Sequence, residues 1–171
     1  SRRSEHLTHI EIDPGLSHHA QKALPREKTA FLVEDCIQAV RKGDLPRDDY
    51  NFIHIDNPPG RFGKDYCENF DLFPEILNCL GDCGVVVFNV WLDIRRQKSD
   101  NDWERRRRDF FELPEQLDAT NLSFKTAERV YLEKISAAGF EIHKAFLIPH
   151  SGETIYLAAC VQRVANTTPT E

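Results

Sequence analysis

The stretch VVVFNV, residues 85–90, decides the fold class of this chain. It is a nearly continuous run of β-branched and aromatic side chains, and such runs are typical of a central strand buried on both faces of a parallel sheet. Before it lie residues 69–80, whose apolar side chains recur at helical spacing, and the sequence GDCG at 81–84, which we interpret as a turn. The region therefore predicts a helix, a turn and a buried strand, the repeating unit of an α/β fold.

The same alternation extends in both directions from this strand. Upstream, three strands alternate with helices; downstream, a helix is followed by two strands joined by a hairpin. The strands are predicted at 7–13, 29–33, 50–55, 140–148 and 154–161, and the long downstream helix is predicted at 124–138. We therefore predict a doubly wound, mostly parallel Rossmann-like sheet with a C-terminal antiparallel hairpin.

The domain organisation follows from the lengths of these segments. Residues 1–165 are predicted to form one domain, and residues 166–171 a polar, frayed tail. Residues 93–123 are charged and carry no strand signal, so we interpret them as an insertion that is partly helical around 101–111. Within it, Arg105 to Arg108 stand among acidic residues, which favours a solvated helix face over a phosphate-binding patch.

Composition narrows the function classes. The net charge of −6 provides no global basic field for nucleic acid. No apolar run approaches the roughly 20 residues that a membrane-spanning helix needs. The five cysteines are an odd number and lie mostly in apolar surroundings, which suits reduced thiols in a cytoplasmic protein. Cysteine and histidine spacings do not indicate a metal site.

Acidic side chains follow three successive predicted strands. Glu11 lies at the end of the first, Asp35 follows the second, and Asp56 follows the third. In an open α/β sheet, ligands bind outside the carboxyl ends of the strands. Carboxylates at these positions can accept hydrogen bonds from ribose hydroxyls or from an amino group, so the pattern indicates a nucleoside-type ligand.

These segments resemble a known family. The sequences HIEIDPGLSHHAQKAL, FLVEDCIQAV, YNFIHIDNPPG and LGDCGVVVFNV follow, in order, the pattern of class I S-adenosylmethionine-dependent methyltransferases, and are especially similar to the spermidine synthase branch. The resemblance covers residues 7–92 and 124–163. It implies S-adenosylmethionine as the cofactor and group transfer as the activity, with methyl transfer favoured over aminopropyl transfer.

The resemblance also assigns roles to individual residues. Glu11 is expected to bind the ribose of the cofactor, Asp35 the adenine amino group, and Cys36 the edge of the adenine ring. Asp56 is expected at the reaction centre, where it orients or deprotonates the nucleophile.

The acceptor is expected to bind next to Asp56. Asn57 and Pro58 are similar to the start of the Asn-Pro-Pro-aromatic motif of amino-group methyltransferases, although Gly60 stands where that motif has its aromatic residue. Trp91, at the end of the 85–90 strand, is expected to line the substrate pocket. The acceptor implied is an amine or a nucleobase, and nucleic acid is the weaker expectation.

One departure from the family keeps alternatives open. The sequence contains no Gly-x-Gly, and it starts about where the second strand of the family pattern begins. We therefore expect a fragment, a strand supplied by a partner, or a cofactor site that is lost or rebuilt. The rival functions are an inactive binding or scaffolding module that presents the 93–123 insertion, and another nucleotide-binding enzyme such as an NAD-dependent dehydrogenase. Pairing of two copies through the C-terminal edge hairpin is a further expectation.

Overall fold

A computed structural model of the chain describes residues 7–10, 14–23, 29–32, 36–56, 69–95 and 99–164. The chain divides into two compact units, Ser1–Leu45 and Pro46–Glu171. The prediction of one domain over 1–165 stays a prediction. None of the helices in the described ranges is long and apolar enough to cross a membrane.

In the first unit, the described residues form two strand–helix pairs. The elements are β1 (Leu7–Ile10), α1 (Pro14–Ala23), β2 (Thr29–Leu32) and α2 (Cys36–Lys42). The two strands are parallel, and their register runs from Leu7 opposite Thr29 to Ile10 opposite Leu32. Both strands therefore end at the same level of their sheet.

The described residues of the second unit form four strands and three α-helices. The elements are β3 (Tyr50–Ile55), α3 (Asn69–Leu72), a 3₁₀ helix (Glu75–Cys79), β4 (Leu80–Trp91), α4 (Asn101–Phe111), α5 (Phe124–Ala137), β5 (Phe140–Pro149) and β6 (Thr154–Arg163). The side chains of Asp100 and Ser123 start α4 and α5 by accepting hydrogen bonds from the backbone N–H groups of Trp103 and Thr126.

The four strands form one mixed sheet in the order β3-β4-β6-β5. β3 is parallel to β4, and β6 is antiparallel to both β4 and β5. β4 and β5 are consequently parallel to each other, with β6 inserted between them. The predicted C-terminal hairpin is confirmed, and β5 forms an edge of this sheet.

The core of the second unit lies on one face of β4. Val86, Phe88 and Val90 are almost fully buried on this face. The ring of Phe88 lies 4.3 Å from that of Tyr131 of α5 and 5.0 Å from that of Phe73, measured between centroids. Val85 and Val87, on the opposite face, are only half-buried. The predicted burial of both faces of this strand is therefore only partly seen.

The region before the central strand differs from the prediction. Instead of one helix over 69–80 and a turn at 81–84, α3 ends at Leu72, a 3₁₀ helix follows, and β4 already begins at Leu80. Pro74 explains the broken helix, because proline lacks the N–H group that a continuing helix needs and disfavours helical geometry in the preceding residue. Residues 81–84 pair within the sheet, and a β-carbon on Gly84 would lie 2.7 Å from the carbonyl oxygen of Asn51 in β3. Glycine here permits close strand pairing rather than a turn.

The 93–123 insertion contains the predicted helix, α4, but it is part of the core. Trp103, Arg107 and Phe111 are at most 1% exposed. Asp93 and Asn121, near the two ends of the insertion, form an antiparallel bridge. The segment is thus closed on itself and packed against the body of the unit.

Candidate functional site

The carboxyl ends of β3 and β4 lie side by side. Ile55 pairs with Phe88, so Asp56 follows β3 at the level of Asn89. Trp91 ends β4 and is half-buried, whereas Asp56 is exposed. Asp56 and Trp91 therefore lie at the carboxyl ends of two neighbouring parallel strands, which is the edge at which open α/β sheets generally bind ligands, and their roles stay predictions.

Asp56 makes a long-range hydrogen bond that sequence patterns do not indicate. The hydroxyl of Tyr156, in β6, donates to Oδ1 of Asp56 over 3.1 Å. Burial raises the pKa of Tyr156, and the hydrogen bond and the charge of Asp56 raise it further. Tyr156 is therefore the protonated donor and Asp56 the acceptor at neutral pH.

Two histidine rings contact the ring of Tyr156. His150, in the turn between β5 and β6, meets it edge-on with 5.3 Å between centroids. His54, in β3, lies 6.3 Å away at an interplanar angle of 32°. The ring is thus bordered by one side chain from β3 and one from the hairpin turn.

A buried amide pair lies at the same level of the sheet. Asn69, the first residue of α3, donates from Nδ2 to Oδ1 of Asn89 over 2.7 Å and also to the Asn89 backbone carbonyl. Both residues are at most 3% exposed. Since buried amides that are hydrogen-bonded specify one arrangement, this pair fixes the start of α3 against β4.

Arg107 of α4 fixes the carboxyl end of β4. Its guanidinium donates to the backbone carbonyls of Trp91 and, over 3.3 Å, of Leu92. It also lies over the rings of Trp103 and Phe111, at 4.9 Å and 5.7 Å from their centroids. A buried cation thus compensates its lost hydration with carbonyl oxygens and aromatic faces.

An open cavity of about 530 Å³ lies beyond the end of β4, lined by Asp93, Arg95, Gly152 and Glu153. The Asp93 carboxylate accepts from Nε and Nη2 of Arg95 at 3.0 and 2.5 Å. The backbone N–H of Leu92 donates to the carbonyl of Glu153, which ties the hairpin turn to the end of β4. Within the described ranges, no group of three His, Cys, Asp or Glu side chains could hold a metal ion.

The predicted cofactor residues belong to the first unit. Glu11 and Asp35 lie outside the described residues, as do the predicted acceptor residues Asn57 and Pro58. Cys36 is the first residue of α2 and is half-buried. Because β1 and β2 are parallel and end level with each other, the chain leaves both strands at one edge, which fits a ligand held by acids that follow neighbouring strands.

The four consecutive arginines of α4 are engaged within the chain. Arg105 and Arg106 pair with Asp102, and Arg106 also pairs with Asp71. Arg107 is buried, and Arg108 donates to the carbonyls of residues 114, 115 and 117. The run is therefore partly a solvated face, as predicted, and partly a set of internal braces.

The site residues that sequence reasoning missed are Tyr156, Asn89 and Arg107. Asn89 interrupts an apolar strand, and Tyr156 is the only aromatic residue of β6, so both carried a weak signal as polar groups in apolar runs. Arg107 carried no such signal, because the sequence does not distinguish it from the three other arginines of the run.

The fold of this chain is similar to the folds of several solved structures. No family model and no curated protein match the sequence. Among solved structures, the chain is similar to TYW2 of M. jannaschii in complex with AdoMet, with a TM-score of 0.53 and 11% identity over 94% of this chain and 59% of that one. It is also similar to an S-adenosylmethionine-dependent methyltransferase from Mesorhizobium loti, with a TM-score of 0.52 and 14% identity over 91% and 80% of the two chains.

A third similar structure is a possible exported protein from Bordetella parapertussis, with a TM-score of 0.52 and 14% identity over 94% of this chain. The chain spans 54% of that protein and 59% of TYW2, between half and three fifths of their lengths. At these identities the likeness concerns the fold. The chain therefore has the α/β, Rossmann-like fold found in S-adenosylmethionine-dependent methyltransferases.

Proposed function

We propose that the chain transfers a methyl group from S-adenosylmethionine to an acceptor nucleophile bound at Asp56, with an amine or a nucleobase as the acceptor. The observation that carries this proposal is the sheet order β3-β4-β6-β5, with β6 antiparallel between parallel neighbours, in a chain whose fold matches methyltransferases. The resemblance to the spermidine synthase branch supports group transfer of this kind, with aminopropyl transfer as the less favoured reaction.

Glu11, Asp35 and Cys36 are the residues that would hold the nucleoside part of the cofactor. When bound, S-adenosylmethionine supplies an electrophilic methyl carbon beside a sulfonium. Support for this binding site comes from the acids after β1 and β2 and from the level ends of those strands.

Asp56 would act on the acceptor. Its Oδ1 accepts the Tyr156 hydroxyl, and within the described ranges its Oδ2 has no hydrogen-bond partner. That oxygen is suited to accept a hydrogen bond from an acceptor N–H group, which turns the nitrogen lone pair away from the carboxylate. The proton that the acceptor nitrogen loses passes to the carboxylate and then to solvent. Most of the rate enhancement expected of such a site comes from orientation.

Calorimetric titration of this chain with S-adenosylmethionine and S-adenosylhomocysteine tests the proposal. We expect micromolar binding that is lost in Glu11→Ala and kept in Glu141→Ala, a control at an exposed residue of β5. Circular dichroism of each variant establishes that it is folded. Absence of heat with the folded wild-type chain contradicts the proposal.

The absence of a Gly-x-Gly sequence favours a second candidate, a methyltransferase-like binding module without cofactor. The same titration separates the two, because the module predicts no heat with either nucleoside.

A further inference from the structure

Tyr156 connects two strands that are not neighbours. In the order β3-β4-β6-β5, the strand β4 lies between Asp56 at the end of β3 and Tyr156 in β6. Two strand spacings amount to about 10 Å, which only a long side chain spans. The tyrosine hydroxyl covers this distance and reaches Oδ1 of Asp56 over 3.1 Å.

The direction of the hydroxyl is restricted by its surroundings. In the pairing of β4 with β6, Tyr156 lies opposite Asn89, whose side chain is buried and held by Asn69. The rings of His150 and His54 border the tyrosine ring at 5.3 Å and 6.3 Å. Tyr156 is half-buried beside these neighbours, and its hydroxyl donates to the carboxylate of Asp56 over 3.1 Å.

We propose that Tyr156 is a positioning residue of the acceptor site: its hydroxyl holds one oxygen of Asp56, so that the other oxygen faces the acceptor. This inference rests on the proposed function only in that Asp56 receives the acceptor. Tyr156 does not take part in proton transfer; it acts through Asp56.

The first test measures the hydrogen bond directly by NMR of chain labelled with ¹³Cζ-tyrosine. Tyr156→Phe identifies the resonance of Tyr156 among the four tyrosines. In Asp56→Asn, the pKa of Tyr156 should fall only part of the way to its ordinary value, because burial, the largest single cause of its elevation, remains. Asp82→Asn, at an exposed residue of β4, should leave the titration unchanged. An unchanged Tyr156 titration in Asp56→Asn overturns the inference.

The second test separates positioning from a structural role. Formation of S-adenosylhomocysteine is followed with small primary amines as probe acceptors. Tyr156→Phe should lower kcat about 10- to 100-fold with the KM for S-adenosylmethionine unchanged. Tyr50→Phe, at the opposite end of β3, is the matched control and should keep the wild-type kcat.

A double-mutant cycle then decides the route of the effect. If Tyr156 acts through Asp56, the Asp56→Asn/Tyr156→Phe enzyme should be no slower than Asp56→Asn alone. Additive losses overturn the positioning role. If the NMR result is as expected but neither cofactor binding nor turnover is found, the proposed function fails together with the positioning role. If cofactor binding and turnover are found but the Tyr156 titration is unchanged, only the inference about Tyr156 fails.

Discussion

Replacing Arg107 with alanine should destabilise the second unit more than any change to its arginine neighbours. Arg107 is 1% exposed, and its guanidinium donates to the carbonyls of Trp91 and Leu92 and lies over the rings of Trp103 and Phe111. Truncation leaves the Trp91 carbonyl without this donor. The Leu92 carbonyl still accepts from the N–H of Leu122 over 2.8 Å.

The expected loss can be worked from these contacts. A charge-assisted hydrogen bond contributes about 2 kcal/mol, and we count only the one to Trp91 in full. The two cation–π contacts add about 1 kcal/mol. Removal of the buried charge relieves its desolvation cost and offsets the packing lost with the aliphatic stem, so we expect a loss of about 3 kcal/mol in the free energy of unfolding. For a chain of this size that corresponds to a fall in Tm of about 6–12 °C.

The assay is urea and thermal unfolding followed by tryptophan fluorescence, which reports on Trp91 and Trp103, the two tryptophans of the chain. Arg105→Ala is the matched control, because Arg105 is exposed and pairs only with Asp102 and Asp109 among the described residues, so its midpoint should not move. Arg107→Met keeps much of the volume and separates the charge from the packing. A Tm for Arg107→Ala equal to that of Arg105→Ala would refute the reasoning.

Three further predictions concern local features. Gly84→Ala should lower the free energy of unfolding by about 1–3 kcal/mol, because the new β-carbon meets the Asn51 carbonyl at 2.7 Å. Gly152→Ala is the control, since a β-carbon there has open space and should leave stability unchanged. The midpoints of urea unfolding compare the two variants. Ser123→Ala should cost about 1 kcal/mol through loss of the α5 N-cap, and an unchanged unfolding midpoint would argue against the cap. Hydrogen bonds from the hydroxyl and the backbone N–H of Thr120 lower the pKa of Asp118 below its ordinary value of 3.8. The charged carboxylate therefore stabilises the folded chain above pH 3.8, and this contribution to the free energy of unfolding is lost as the pH falls through the lowered pKa. Asp118→Asn should therefore destabilise at pH 7, and the difference from wild type should shrink at acid pH; a constant difference would contradict this.

Local patterns were sufficient to predict most of the elements of the second unit. The period of α5 and the hairpin of β5 and β6 lie in continuous sequence, so neighbouring residues carry the signal. The predictions of a helix over 69–80 and a turn at 81–84 are wrong, because Pro74 interrupts the helix and because Gly81 and Gly84 lie within β4. In the structure these glycines allow β4 to approach β3 closely. Close backbone approach is a tertiary property that sequence period does not encode.

The candidate site was predictable only in part. The position of Asp56 follows from a general rule, since the carboxyl ends of parallel strands share one edge. The contact of Asp56 with Tyr156 does not, because the two residues are 100 positions apart and their strands are separated by β4. It depends on the strand order, in which β6 enters between β4 and β5. The role of Arg107 could not be predicted either, because only the tertiary structure determines which of the four arginines is buried.

The insertion, residues 93–123, contacts the strand end at which the candidate site lies. The alternative function, an inactive module, presents residues 93–123 to a partner, yet Trp103, Arg107 and Phe111 of this segment are buried in the core. Arg107 donates to the carbonyl of Trp91, the last residue of β4, and the acceptor is proposed to bind near this end of the strand. Deleting the insertion would therefore disturb the site as well as any partner surface, and could not distinguish the two functions. Leu117, which follows α4, is 53% exposed, so a substitution at Leu117 tests partner binding without disturbing β4.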